Sequence, residues 1–140
     1  MDKKQKIKRT ITPEQWDTVA FMLGLKEKDF FGGVEHCEFS LERLTGFLDI
    51  GFIELEYKCN NSPTVKTFYK FGKRAEAYGA LVGYIGFLES MSRENARLVI
   101  DGIKVTAFPD SASLIMDFSQ TFHEADEFTT NSELLRAWYD

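Results

Sequence analysis

The 140-residue chain has few of the residues that usually mark a catalytic or metal site. It contains two cysteines, two histidines and three prolines, and the cysteines do not form a C-x-x-C pair. The sequence also lacks a nucleophile elbow, a zinc-protease motif, a Walker loop and a dinucleotide-binding glycine motif. We therefore expect no catalytic residues, no metal and no cofactor, and a binding protein rather than an enzyme.

Long hydrophobic runs are missing as well. The longest stretch without a charge, residues 77–88, has 12 residues, whereas about 20 are needed to span a bilayer. The basic start of the chain is not followed by the continuous apolar segment that a secretory signal requires. The sequence predicts a cytoplasmic protein with no membrane partner. Cys37 and Cys59 are then most simply reduced, although a disulfide between them is left open.

The composition is that of a folded domain. Hydrophobic residues make up 44% of the sequence and aromatic residues 14%, with thirteen phenylalanines. A chain of this size can bury a substantial core without disulfides or metal. We expect one domain over residues 1–140, in which residues 1–10 form a flexible basic terminus.

Capping residues and hydrophobic spacing predict three helices before residue 93. The first begins at Thr12-Pro13 and ends at Gly24, and the second begins at Ser40 and ends at Gly51. The third is a long helix over residues 63–92, along which apolar residues recur at steps of three and four.

Strands are expected in the rest of the chain. Residues 52–59 and 114–122 alternate between apolar and polar positions, which predicts strands. The Asp101-Gly102 pair between two apolar runs predicts a two-residue hairpin turn with positive φ. Residues 132–138 are expected to form a short closing helix. The predicted class is α+β, with N-terminal helices and one long central helix packed on a C-terminal antiparallel β-meander.

Three glycines, Gly79, Gly83 and Gly86, fall on one side of the predicted long helix. Each interior glycine destabilises a helix by up to about 1 kcal/mol relative to alanine, so a closely packed neighbour must compensate. The neighbour is either the sheet of the same chain or a second copy, which makes a homodimer through these glycines one expectation.

The two histidines lie in the clusters that come nearest to a metal-ligand set. Glu35-His36-Cys37-Glu38 are consecutive, so on a strand at most two of them could reach one ion. His123 precedes a second acidic group, but spacing does not predict that it meets the first cluster. Neighbouring side chains on a strand point apart, so His36 and Cys37 do not form a catalytic dyad.

Part of the N-terminal half resembles the winged-helix domains that bind DNA. The likeness rests on the order helix, helix, strand and on Leu-x-x-Leu at residues 41–44 followed by Gly51-Phe52-Ile53, and it covers about 40 residues. Winged-helix domains read base edges from their second helix, so the resemblance implies a DNA-binding protein in which Arg43 contributes to recognition.

Charge is distributed unevenly. The net charge is −5, with five basic residues against one acidic residue in residues 1–10, and five acidic against one basic in residues 123–140. An acidic body repels nucleic-acid phosphates, which disfavours nucleic acid and favours a basic protein as partner. Aromatic anchors surrounded by carboxylates form a workable interface. The predicted partner-binding residues are Glu124, Asp126, Glu127, Phe128, Trp138 and Tyr139.

The sequence thus favours a small non-catalytic protein–protein interaction domain of the inhibitor or immunity-protein type with an acidic contact surface. A ligand-binding domain, or an enzyme whose site is assembled by the fold, is the alternative, and a winged-helix-like DNA-binding protein is a further one. A pocket of aromatic and convergent polar side chains would favour the ligand-binding domain.

Overall fold

A computed structural model describes residues 33–90 and 97–140. The helix predicted at residues 12–24 and the basic terminus lie outside these ranges. The described residues form three helices and five strands in the order β1 (Gly33–Ser40), α1 (Leu41–Asp49), α2 (Val65–Ala77), β2 (Leu81–Ser90), β3 (Arg97–Thr106), α3 (Ala112–Phe122), β4 (Glu127–Thr130) and β5 (Leu135–Trp138). The strands make one antiparallel sheet in the order β1-β2-β3-β5-β4. The α+β class is confirmed.

The helix predicted at Ser40 is present as α1. The Ser40 hydroxyl oxygen accepts the Arg43 N–H at 3.1 Å and caps the first turn. Leu44 and Phe47 on the apolar face are buried. The chain leaves the helix through Gly51, whose φ of +74° suits glycine.

Only the first half of the predicted long helix is helical. The Thr64 hydroxyl accepts the Thr67 N–H to begin α2, which buries Phe68, Phe71 and Ala75 as expected. The helix ends at Ala77, and Gly79 has a φ of +89° that turns the chain into β2. The continuation to residue 92 was wrong because residues 81–90 satisfy their backbone by pairing with two neighbouring strands.

The three glycines proposed as a dimer contact do not share a surface. Gly79 lies in the turn before β2, while Gly83 and Gly86 lie three residues apart within that strand and therefore on opposite faces. Gly86 is buried against the backbone of Val99. The predicted homodimer through these residues thus loses its structural basis.

The hairpin turn predicted at Asp101-Gly102 was wrong. Both residues lie in the middle of β3, which pairs with β2 on one side and β5 on the other. Ile85 pairs with Gly102 and Gly86 pairs with Ile100, so Asp101 is the extra residue of a β-bulge. Close packing explains the glycine at position 102 instead, because a Cβ at Gly102 would lie 2.9 Å from the Ala137 carbonyl oxygen.

The strand predicted over residues 52–59 is a loop. Phe52 and Ile53 are both buried rather than alternating, and the carbonyls of Leu55 and Tyr57 accept the first amides of α2. Because α2 is the next element after α1, the helix–helix–strand order of a winged helix is not formed by these residues.

In two further segments the structure has a helix where a strand was predicted, or a strand where a helix was predicted. Residues 112–122 form α3, because the fully buried Leu114, Phe118 and Phe122 recur every four residues while Met116 is 59% exposed. The predicted closing helix is β5, in which Leu135 and Ala137 are buried and their neighbours are partly exposed.

All three helices contribute to a single core on one face of the sheet. Rings from α2 and α3 pack with centroid separations of 5.1 to 5.6 Å; they are Phe68, Phe71, Phe118 and Phe122. The buried Tyr84 hydroxyl of β2 donates to the Phe68 carbonyl oxygen at 2.8 Å, so this polar atom is satisfied inside the core.

The other face of the sheet, here called the far face, carries rows of side chains across the strands, and three of these rows pass through Phe87, Ile85 and Gly83 of β2. The pairing register aligns His36, Phe87 and Val99 in the first row. It aligns Glu38, Ile85, Gly102, Trp138 and Glu127 in the second, and Ser40, Gly83, Lys104, Arg136 and Thr129 in the third. None of the three described helices packs on this face, and none of them is long and apolar enough to cross a membrane.

Candidate functional site

Two of the predicted acidic residues gather at one corner of the molecule, between α3 and β4. The Glu124 side chain is 83% exposed, and Asp126 Oδ2 accepts the Asp140 N–H at 2.8 Å. Burial, with smaller effects from the carboxylates of Glu124 and Asp126, raises the pKa of the Tyr139 hydroxyl to about 12. Both carboxylates thus lie near this hydroxyl. We call Glu124, Asp126 and Phe128, together with Glu127 on the opposite side of β4, the acidic corner.

Phe128 and Tyr139 differ sharply in exposure. Phe128 is 38% exposed and its inner side stacks on Phe118 with a centroid separation of 5.6 Å. Tyr139 is 4% exposed and packs edge-on against Phe68 at 6.3 Å. Phe128 can therefore touch a partner, whereas Tyr139 supports the corner from within the core.

Glu127 and Trp138 face the other way. They pair across β4 and β5, so both side chains lie on the far face, opposite to Phe128. Glu127 Oε1 binds Arg136 Nη1 at 2.8 Å. The six residues predicted from the sequence are thus close in space but divided between the two faces of the sheet.

A buried carboxylate lies in the middle of the far face. Asp101, the extra residue of the β3 bulge, is 5% exposed. The Trp138 indole N–H donates to this carboxylate, while Asp101 Oδ1 is buried and accepts no hydrogen bond. One oxygen of this buried carboxylate is thus unsatisfied.

Burial raises the pKa of Asp101. Hydrogen bonding by the Trp138 indole and by the Asp101 backbone amide, and the proximity of His36 and Arg136, act in the opposite direction. Burial has the largest effect because removing a carboxylate from water is costly. Asp101 thus differs from the other acids of the far face, since Glu38 and Glu127 form ion pairs at 2.9 and 2.8 Å.

The thiol of Cys37 is inactive as a nucleophile. Burial, with smaller effects from Asp101 and Glu38, raises its pKa to about 12. A thiol needs a lowered pKa to react near neutral pH, so Cys37 stays protonated. The adjacent His36 is exposed on the far face and meets the edge of the Phe87 ring at 6.1 Å.

The remaining ligand candidates are dispersed. Cys37 and Cys59 do not form a disulfide, and His123 lies at the end of α3 with its side chain 67% exposed. Across residues 33–90 and 97–140, no three His, Cys, Asp or Glu side chains are placed to hold one metal ion.

A second acidic surface lines an open groove of about 770 Å³ between α1 and α2. Glu42, Asp49 and Glu76 are exposed along it. Lys73 Nζ lies 5.3 Å from the centroid of the Tyr69 ring on the same groove. Because these carboxylates lie on α1 and α2, the groove provides a surface of similar charge for comparison with the acidic corner.

Sequence reasoning assigned Asp101 to a turn and missed its burial. One signal could have revealed it: a single acidic residue follows three apolar residues and precedes Gly102 and Ile103. A carboxylate inside such a run is either in a turn or buried, and only the pairing of β3 on both sides decides for burial. Comparison of the chain with protein-family models, curated proteins and solved structures finds no match.

Proposed function

We propose that this protein is a non-catalytic interaction protein that contacts a basic protein partner through the acidic corner. One observation carries the proposal: a half-exposed aromatic ring, Phe128, is fixed by stacking on a core ring and lies two residues from Asp126. A ring held in place before binding loses little conformational freedom on association, so its burial contributes efficiently to affinity.

The carboxylates supply the second part of the interface. Glu124 is almost fully exposed, and Glu127 is 58% exposed in its ion pair with Arg136. Exposed charges contribute little to affinity but accelerate the encounter with an oppositely charged surface. We therefore expect the carboxylates to control the association rate and Phe128 to control the dissociation rate.

The test compares two variants of equal charge. In the first, Glu124, Asp126 and Glu127 are all changed to Lys. In the second, the groove residues Glu42, Asp49 and Glu76 are changed to Lys. Each variant and the unchanged chain would be used to recover partners from the native host, with quantification by mass spectrometry.

The proposal predicts a basic protein that is recovered stoichiometrically by the unchanged chain and by the groove variant but is lost from the corner variant. Equal recovery by all three chains would contradict it. Loss from the groove variant alone would place the contact between α1 and α2 instead. Thermal melts of all three chains would show that the fold is intact.

A ligand-binding function is the second candidate, and Asp101 is the observation that favours it. A buried carboxylate oxygen without a hydrogen-bond partner is rare in a folded protein and destabilises it. Such a group is retained more readily where it serves a ligand than where it serves only packing.

A further inference from the structure

Asp101 is the one buried side chain in the described ranges that has an oxygen without a hydrogen-bond partner. The side chains beside it on the far face are mostly apolar. Ile85 and Trp138 flank Gly102, with Trp138 Cδ1 and Ile85 Cβ each 3.2 Å from the position a Gly102 Cβ would take. Val99 lies two residues away on the same strand and is fully buried. Oδ1 therefore lies in surroundings of low dielectric constant, where a charge-assisted hydrogen bond is stronger than it is in water.

The carboxylate is close to the surface. Ile85, Phe87 and Trp138 are each only partly buried, so side chains of the far face near Asp101 reach the surface of the molecule. Binding at Oδ1 from this side requires a rotation of the Trp138 side chain and no change of the sheet.

The geometry restricts what kind of group fits. A divalent metal ion requires several oxygen ligands, and Glu38 and Glu127 of this face already bind Lys104 and Arg136. A guanidinium group binds best through two carboxylate oxygens, whereas Oδ1 is the Asp101 oxygen that is buried without a partner. An ammonium group requires one oxygen, balances the charge, and gains cation–π attraction from adjacent aromatic rings.

We propose that the far face binds an aliphatic ammonium group, which donates to Asp101 Oδ1 beside the rings of Trp138 and Phe87. The group belongs either to a small alkylamine or to a lysine side chain of another protein. The site uses none of Glu124, Asp126 and Phe128, although Glu127 pairs with Trp138 beside it. It rests on the ligand-binding function named above as the second candidate, and its test involves no basic partner protein.

The test uses the full chain labelled with ¹⁵N, with the Trp138 indole N–H signal as the reporter. A Trp16→Phe variant identifies that signal among the two tryptophans. The probes are n-butylammonium, N-acetyl-lysine methylamide, and n-butanol as a neutral control of similar size. We expect both amines to shift the signal saturably in the millimolar range and n-butanol to leave it unchanged.

Asp101→Asn keeps the shape and an oxygen for the indole but removes the charge, so it should weaken amine binding by about tenfold or more. Tighter binding of the lysine probe would identify a protein partner as the source of the ammonium, and tighter binding of n-butylammonium a small amine. Equal binding by the Asp101→Asn variant, or no saturable shift with either amine, would overturn the proposal.

A second measurement needs no substitution. A bound cation must lower the pKa of the carboxyl group that it contacts, because binding and ionisation are linked. The ¹³C carboxyl signal of Asp101, followed against pH with and without n-butylammonium, should titrate at lower pH when the amine is present. An unchanged titration would contradict the site even if the Asp101→Asn chain failed to fold.

Discussion

The two faces of the sheet differ in how their buried polar groups are satisfied. On the helix side, the core rings are fully buried and the buried Tyr84 hydroxyl has an acceptor. On the far face, Asp101 is 5% exposed but has an oxygen without a donor. That face also carries ion pairs and half-buried rings. The helix side is arranged for stability, whereas the far face keeps a costly polar group at its centre.

The comparison is tested most strongly by truncating one ring on each face. Phe118→Ala should reduce the free energy of unfolding by about 3–5 kcal/mol, because Phe118 is fully buried between other rings. Phe87→Ala on the far face should cost less than half as much, since Phe87 is only partly buried. Urea denaturation of both variants would show whether the order holds, and equal losses would remove the distinction between the faces.

A pair of glycines in adjacent strands gives the next largest effect. Gly102→Ala should destabilise by about 1–3 kcal/mol, because the new Cβ would lie 2.9 Å from the Ala137 carbonyl oxygen. Gly83→Ala should be neutral or slightly stabilising, since its nearest neighbours are 3.9 Å away and alanine restricts the unfolded chain. Thermal melts would compare them, and a harmless Gly102→Ala would show that β3 and β5 are not packed as described.

The free energy by which the buried Asp101 carboxylate destabilises the fold should depend on pH. Because burial raises the pKa of Asp101 in the folded state, the native chain loses stability as pH rises through that pKa. Asp101→Asn cannot titrate, so it should be more stable than the unchanged chain at neutral pH, with the advantage shrinking toward about pH 4. Urea midpoints at both pH values test this, and an advantage that grows on acidification would contradict it.

The smallest effect concerns a salt bridge on the helix side. Arg74 Nε and Nη2 donate to Asp117 at 2.8 and 3.0 Å, and this lowers the pKa of Asp117. Its stabilising effect is present above the unfolded pKa and lost as pH falls through the folded pKa. Asp117→Asn should therefore cost up to about 1 kcal/mol at neutral pH and progressively less as pH falls below the ordinary aspartate pKa of about 4. Glu38→Gln, which removes the more exposed pair with Lys104, is the control and should cost less.

Local signals predicted the elements whose ends are determined by local chemistry. Ser40 with Arg43, and the apolar positions that follow, specify α1 without any tertiary contact. The beginning of α2 was also close to the prediction, because Thr64 caps it. These features operate within four residues, which is the range that a sequence pattern can resolve.

The predictions that were wrong concern segments whose structure depends on contacts with residues far away in the sequence. Residues 81–90 carry apolar residues at helical spacing but become β2 because two strands pair with them. Residues 114–122 alternate in hydrophobicity, yet the buried set recurs every four residues and the segment is α3. The Asp101 site depends on three adjacent strands, β2, β3 and β5, so no pattern within one segment could have located it.

The proposed function requires that the acidic corner steers a basic partner. Its most direct test is the association rate of the recovered partner as a function of salt, measured for the unchanged chain and for the variant with Lys at Glu124, Asp126 and Glu127. We predict slower association of the variant at low salt, with the two rates converging as salt screens the charges. The same association rate for both chains at low salt would contradict the claim.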